Sequence, residues 1–232
     1  MSELSSRILY CDANCVVVNK IAGEAVEGAG KGMVDLPQSL SAMLGDKATA
    51  VHRLDVPVSG CAAFARSESA LRFLNNAFSN NAVQKHYWAI VEMPKNNTFP
   101  DTGEYTELTH WIQFDPKRNK SIAQDQSGPG RKKAVLRCRI TGRGQHYLFF
   151  EIELITGRHH RIRAQFERMG LHIKGDLKYG AKRSEQNGGI RLHARSLSFP
   201  DPANDSKIIT VQAEPPINDN LWQAFQDAVI SS

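Results

Sequence analysis

An aspartate, Asp55, lies in a short segment whose residue types could carry out chemistry on an anionic ligand. It follows His52 and Arg53, precedes Pro57 by two residues and Gly60 by five, and leads into an apolar run. An arginine beside a carboxylate favours its ionised form, and loops held by rigid neighbours often carry functional groups. An aspartate before a proline is also a common turn former, because its side chain bonds its own backbone. The segment therefore predicts either a reactive carboxylate or a structural turn.

Two further groups of side chains could take part in the same chemistry. Tyr87 lies in a segment, 85–91, that has the composition of a strand. Arg158, His160 and Arg163 lie at the predicted start of a helix, where unsatisfied N–H groups and the helix dipole favour anions. A solvated basic face is the structural alternative for these three side chains. Their residue types alone leave both interpretations open.

The residues around these groups predict strands that alternate with short helices. The connections between residues 106 and 154 are too short for parallel crossovers, which favours antiparallel pairing there. We therefore predict an α/β (α+β) fold with a mixed, mostly antiparallel sheet and helices packed on it, forming one catalytic domain over residues 1–232. Helices are expected after Asp35, after Ser67, from Thr156 and from Asn218. Strands are expected twice within 8–20 and at 61–65, 85–91, 106–113, 133–140, 145–154, 190–194 and 207–213.

Glycine-containing segments predict two of the connections between these strands. Residues 125–131, with two glycines and a proline, are expected to form a loop between the strands at 106–113 and 133–140. Residues 142–144, Gly-Arg-Gly, are expected to form the tight turn of a hairpin.

The charge of the chain limits the class of its partners. Lys and Arg number 29 against 24 Asp and Glu, which gives a formal net charge of +5 and a pI of about 9.1. This modest excess suits an RNA, DNA or phosphate partner without requiring one. Arginine is concentrated in 137–143 and 158–168. No obligatory protein partner is evident.

Targeting signals and cysteine usage indicate a cytoplasmic protein that does not enter a membrane. The N-terminus lacks the basic-then-apolar pattern of a signal peptide, and no apolar run approaches the ~18 residues of a spanning helix. The four cysteines form no CxxC pair, and we expect them to be reduced, buried and structural. They are Cys11, Cys15, Cys61 and Cys138.

Six segments of the chain contain short motifs in a consistent order. They are residues 8–23, His52-Arg53-Leu54-Asp55 with Ser59-Gly60, Lys85 with Tyr87 and Ala89, residues 154–163, Gly175-Asp176 with Tyr179-Gly180, and Leu192-His193-Ala194. In this order they resemble the RluA family of RNA pseudouridine synthases, and the resemblance extends from about residue 8 to residue 202. It implies a pseudouridine synthase fold. We also expect no N-terminal S4-like RNA-binding domain of the kind that some members carry.

The resemblance implies a role for each matching side chain. Asp55 would be the catalytic aspartate, Arg163 would pair with it, and Tyr87 would stack on or near the target base. Arg53 would help to displace the target uridine from its helix, and Leu192 would line the uracil pocket. Taking a paired base out of its stack costs a few kcal/mol, which aromatic stacking and an inserted arginine offset.

The implied reaction is an isomerisation of uridine to pseudouridine, and it needs neither a cofactor nor a metal. The glycosidic bond at N1 breaks, the uracil turns, and C5 joins C1′. Arg158 and His160 are expected to contribute to RNA binding. Two questions stay open: whether the aspartate attacks the sugar or first removes a proton, and whether the RNA is ribosomal or transfer RNA.

Two other classes of function compete with this one. A non-catalytic RNA-binding module would use the basic residues but have no use for a carboxylate beside an RNA backbone. A metal-dependent hydrolase would need a convergent set of ligands, and neither an HExxH nor an HxD motif is present. Its candidate ligands are His52, Asp55, His159, His160, His172 and Asp176.

Overall fold

The computed structural model describes residues 3–30, 32, 34–95, 99–100, 103–156, 160–185, 187–217 and 219–230. Within these residues the helices are α1 Leu36–Leu44, α2 Glu68–Ser79, α3 Arg161–Arg168 and α4 Asn220–Ile230. The strands are β1 Ile8–Cys11, β2 Cys15–Lys20, β3 Glu24–Ala25, β4 Val34–Asp35, β5 Thr49–Ala50, β6 Ser59–Ala65, β7 Gln84–Glu92, β8 Thr106–Asp115, β9 Lys120–Gln124, β10 Lys132–Arg143, β11 Tyr147–Leu154, β12 His172–Ile173, β13 Leu192–Asp201 and β14 Asn204–Gln212. This composition confirms the predicted α+β class.

The chain divides into two compact units, and each is described separately. The first comprises Met1–Lys85 and His193–Pro216, and the second comprises His86–Leu192 and Ile217–Ser232. The expectation that residues 1–232 act as one catalytic domain stays a prediction.

The first unit is built on strands in the order β1, β2, β6 and β13, with β5 paired to β6 and β14 to β13. β6 and β13 run parallel, and the other pairs in this group are antiparallel. Helix α2 packs on β6 and begins as predicted, because the Ser67 side chain accepts a hydrogen bond from Ala70 N. Its apolar face, including Leu74 and Ala77, joins the core of this unit.

Helix α1 also begins where its capping residue predicts. The Asp35 carboxylate accepts a hydrogen bond from the backbone N–H of Gln38, and the helix ends at Gly45 in the left-handed conformation. Leu36 and Leu40 are fully buried and form the apolar side of the helix.

The second unit is an antiparallel sheet in the order β7, β11, β10, β8 and β9, with β12 also paired to β7. Helix α3 packs on β8 and β9, and α4 packs on β10. Apolar residues of the strands and helices form two clusters in this unit. One contains Trp88, Ile90, Phe149, Trp222 and Phe225, and the other contains Ile112, Ala123, Ala134, Ala164 and Tyr179.

Two connections in the second unit differ from the sequence prediction. Strand β9 was not predicted; it forms a hairpin with β8 and precedes the loop at 125–131. The predicted hairpin of β10 and β11 is present, but β10 continues through Gly142 to Arg143. The reversal lies later, where Gly144 N donates to Tyr147 O. The ladder shifts register between Ile140 and Gly142 and so absorbs an extra residue.

The cysteines differ from the prediction at one position. All four are free thiols, and Cys15, Cys61 and Cys138 are buried as expected. Cys11, the last residue of the outer strand β1, is exposed instead.

None of the helices in the described part of the chain is both long enough and apolar enough to cross a membrane.

Two histidines, His193 and His52, should make the first unit sensitive to acid. Burial lowers the pKa of His193 from 6.5 to about 4, and burial together with Lys85 lowers the pKa of His52 to about 3. A histidine whose pKa is lower in the folded protein than in the unfolded protein takes up a proton more readily after unfolding. It contributes stability above its unfolded pKa, and this stability is lost as the pH falls through its folded pKa. We expect the free energy of unfolding to fall from about pH 6.5 downward, by about 1 kcal/mol between about pH 7.5 and 5.5 for His193 alone.

Urea unfolding at a series of pH values measures this dependence. His193→Gln carries no titrating ring, so its curve should be flatter than that of the wild type over the same range. Equal slopes for the two proteins would contradict the assignment to His193.

Candidate active site

Asp55 lies in a loop of the first unit that joins β5 to β6. The side chain is half-buried, and the loop turns tightly because Val58 N donates to Asp55 O at 2.9 Å. Lys20, at the end of β2, is fully buried beneath this loop. Its Nζ donates to the backbone oxygens of Val56 at 3.0 Å and of Val58 at 2.6 Å. The buried cation therefore holds the turn through its backbone.

The carboxylates of Glu24 and Asp55 lie near Lys20 and balance its charge. Burial lowers the pKa of Lys20 to about 8, and the carboxylates of Glu24 and Asp55 oppose that shift. Glu24 is itself buried and forms two hydrogen bonds with Arg7, at 2.7 and 2.9 Å. Lys20 was predicted only as part of an opening strand, and its contacts to this loop were not predicted.

At Gly60, where the loop leads into β6, the backbone lies very close to the backbone of β13. Its φ is +113°, and a Cβ there would lie 2.3 Å from Ala194 O on β13. Any other residue would force the parallel strands apart, so this position requires glycine. One residue earlier, Ser59 Oγ lies 2.9 Å from Nδ1 of His193, whose Nε2 donates to Ala213 O. These contacts set the register between the loop and β13.

The residues before Asp55 have different roles. His52 is a structural residue, because its Nε2 accepts from Ala63 N at 3.0 Å and its ring stacks on Phe78 at 4.9 Å. Arg53 is exposed, which leaves its guanidinium accessible to an RNA ligand. Leu54 is buried and anchors the segment.

In the second unit, Arg163 forms a two-pronged ion pair with Asp176. Nε and Nη2 donate to the two carboxylate oxygens at 2.6 and 2.8 Å, and the side chains are only 6% and 1% exposed. The guanidinium also lies over the ring of Tyr179, with Cζ 4.6 Å from the ring centre. Arg163 thus has a fixed position and orientation.

Tyr179 connects Arg163 to a second predicted site residue. Its hydroxyl accepts from Ser121 N at 2.9 Å and shares a 3.0 Å hydrogen bond with His160 Nδ1. His160 immediately precedes α3 and adopts the left-handed conformation with φ +46°. Lys120 also lies over the same ring, 4.7 Å from its centre. Two of the three residues predicted at this helix start, Arg163 and His160, therefore meet at one buried ring; Arg158 lies outside the described residues.

Tyr87 and Leu192 are both part of strands. Tyr87 lies on β7 opposite Ile152 and is 7% exposed, so most of its ring is packed. Leu192 is the first residue of β13 and is 3% exposed. The structure thus fixes the backbone of both residues, and their contact with a base stays a prediction.

The metal-dependent alternative receives no geometric support. Among the described residues, no group of three His, Cys, Asp or Glu side chains is placed to hold a metal ion. The proposed ligands have other partners: His52 bonds Ala63, Asp176 bonds Arg163, and His172 bonds Tyr179 O. His159 lies outside the described residues.

Comparisons with known proteins assign the family. The model of the family described as RNA pseudouridylate synthase matches residues 14–168. An uncharacterized RNA pseudouridine synthase of Zymomonas mobilis is 33% identical over 221 residues, which cover 93% of this chain and 96% of that protein. Ribosomal large subunit pseudouridine synthase C of Vibrio cholerae is 28% identical over 233 residues, which cover 97% of this chain and 70% of that protein.

A solved structure shows the same fold. Human RNA pseudouridylate synthase domain containing 4 superposes with a TM-score of 0.74 at 21% identity, covering 98% of this chain and 94% of that chain. The chain belongs to the RNA pseudouridylate synthase family, in its RluA-like branch. The predicted fold and the predicted activity, that of an RNA pseudouridylate synthase, which is an isomerase, are confirmed.

Removal of the Asp176 charge should destabilise the protein. Asp176→Asn removes the carboxylate that holds the buried guanidinium of Arg163, at an expected cost of about 3 kcal/mol in the free energy of unfolding. Urea unfolding measures this loss. Asp227→Asn, an exposed site in the same unit, is the matched control and should change stability by less than about 0.5 kcal/mol. Similar values for the two variants would show that the ion pair contributes little.

Proposed function

We propose that Asp55 is the catalytic carboxylate of this RNA pseudouridine synthase. The observation that carries the proposal is the construction of its loop, in which buried Lys20 binds the backbone oxygens of Val56 and Val58 and the Asp55 side chain is only half-buried. A half-buried side chain in a loop with a fixed backbone keeps access to a ligand. Such a loop combines a fixed backbone with an accessible reactive group.

The reaction rearranges one uridine and conserves its atoms. The bond between N1 and C1′ breaks while the uracil stays bound, the ring turns, and a new bond joins C5 to C1′. The proton that leaves C5 is balanced by the proton that N1 gains. Asp55 acts on the sugar or its protons during bond cleavage, and the surrounding residues hold the detached ring and exclude water.

We assign the other predicted residues to binding and positioning. Arg163 supports the charge of Asp55, and its own orientation is set by Asp176. Tyr87 stacks on the target base, and Leu192 supplies apolar contact to the uracil. Exposed Arg53 occupies the space that the everted uridine leaves.

Two further basic residues are assigned to RNA binding. His160 immediately precedes α3, where the free N–H groups of a helix start favour phosphate, and Arg158 is assigned from its sequence position alone. For His160, support comes from its fixed position against Tyr179, 3.0 Å from the hydroxyl.

We propose large-subunit ribosomal RNA as the substrate, with transfer RNA as the alternative. The relative in Vibrio cholerae is named for the large ribosomal subunit and is similar to this chain over 97% of its length. A cytoplasmic location follows from that substrate and agrees with four free thiols. Mapping pseudouridine in total RNA from cells with and without the gene separates the two substrates, because a lost site identifies the RNA.

Asp55→Asn should abolish pseudouridine formation while RNA binding survives. The amide keeps the shape of the side chain but can neither attack the sugar nor accept a proton, so we expect a rate loss of at least about a thousandfold. Nucleoside chromatography after digestion of the RNA measures the product, and filter binding measures affinity. Asp205→Asn, an exposed site in the first unit, serves as the control and should retain full activity. Turnover by Asp55→Asn would refute the assignment.

Two substitutions at Tyr87 distinguish its ring from its hydroxyl. If the ring stacks on the base, Tyr87→Phe should retain most of the rate, while Tyr87→Ala should lose about 1–3 kcal/mol of stacking. Single-turnover rates and RNA affinity are measured for both variants. Equal losses would assign the function to the hydroxyl instead.

A further inference from the structure

The residues from Trp111 to Lys133 carry most of the excess positive charge of the chain. These 23 residues contain six Lys and Arg but only two Asp, a net charge of +4, whereas the whole chain has +5. They form the second half of β8, the strand β9, the following loop and the start of β10. A charge excess concentrated in one hairpin indicates a contact surface for an anionic partner.

Both carboxylates in this stretch are occupied by local contacts. Asp115 Oδ1 accepts the backbone N–H groups of Lys117 at 3.0 Å and of Arg118 at 3.3 Å, which shapes the turn between β8 and β9. Asp125 pairs with Arg168 on α3. The turn therefore presents two adjacent exposed cations at its tip, and the Arg118 side chain is 76% exposed.

One face of the hairpin adds an aromatic ring to these cations. Trp111 lies opposite Lys133 on β10 and Gln124 on β9, and the pair of Gln113 with Ile122 follows two residues later. Pairs two residues apart lie on the same face of a sheet. Ile112 and Ala123, on the other face, join the cluster that contains Ala164 of α3. Trp111 and Lys133 therefore lie on the face that α3 does not cover.

The exposure of Trp111 separates it from the other tryptophans. Trp88 and Trp222 are 6% and 4% exposed and belong to an apolar cluster of the second unit. Trp111 is only half-buried, and Ile122 beside it is 36% exposed. A partly exposed ring flanked by lysine is the arrangement on which single-stranded bases stack, because every base presents a π-face.

We propose that this hairpin surface, defined by Trp111, Lys117, Arg118, Ile122 and Lys133, binds the RNA strand that flanks the target uridine. The proposal rests on the RNA-modifying function given above and names a surface that it uses. Lys117 and Arg118 bind phosphates, and Trp111 stacks on a base. A protein partner would have to match the same dense positive charge, and the combination of cations with a stacking ring favours RNA.

Removal of the two tip cations tests the phosphate contacts. We compare Lys117→Ala/Arg118→Ala with the wild type for binding to transcribed, unmodified large-subunit ribosomal RNA at several salt concentrations. The affinity should fall about tenfold near 0.1 M salt, and the slope of log K against log salt should decrease by about 1.4. Lys47→Ala/Arg72→Ala removes the same charge from exposed sites of the first unit and should leave both values close to wild type. Equal effects of the two double variants would overturn the proposal.

Tryptophan fluorescence tests the stacking contact. Because Trp111 is the most accessible of the three tryptophans, acrylamide should quench mainly its emission, and bound RNA should protect it. Trp111→Phe should remove the quenchable fraction and weaken RNA binding at least fivefold. A Trp111 that stays quenchable when RNA is bound would overturn the proposal and assign this face to a different partner.

A failure of the hairpin proposal can be distinguished from a failure of the proposed function. Pseudouridine formation by Asp55→Asn would refute the catalytic assignment whatever the hairpin variants do. Unchanged RNA affinity of the hairpin variants would refute the surface alone.

Discussion

The ion pair between Arg163 and Asp176 is the interaction that fixes the position of Arg163 in the second unit. Both groups are almost fully buried, and two short hydrogen bonds fix the plane of the guanidinium. Burying two charges costs several kcal/mol per ion, and their attraction compensates only when the geometry is good. Replacing such a pair with apolar residues of similar volume is often neutral or stabilising, so the stability of the fold does not by itself account for these two charges.

The first unit holds the loop of Asp55 through contacts to its backbone. Lys20 binds the carbonyl oxygens of the loop, and Gly60 permits the close approach of β6 and β13. These backbone contacts do not require the carboxylate of Asp55. We therefore expect Asp55→Asn to retain the fold and lose the chemistry.

Elements that are fixed by contacts between residues close in sequence could be predicted. Elements and contacts that depend on residues far apart in sequence could not. Asp35 and Ser67 cap their helices through contacts three residues away, so α1 and α2 were placed correctly. Strand β9 was missed because its turn depends on Asn119 in the left-handed conformation, and its sequence, Lys-Ser-Ile-Ala-Gln, is only weakly typical of a strand. The functions of Asp176 and Lys20 were missed because their partners lie 13 or more residues away.

We propose that the fixed guanidinium of Arg163 takes part in the reaction and does not only stabilise the fold. The double variant Arg163→Gln/Asp176→Asn separates these two roles, because it removes both charges of the buried pair together. We predict a melting temperature near that of the wild type and a single-turnover rate of pseudouridine formation at least about a hundredfold lower. A folded double variant that forms pseudouridine at the wild-type rate would show that Arg163 has no part in the reaction.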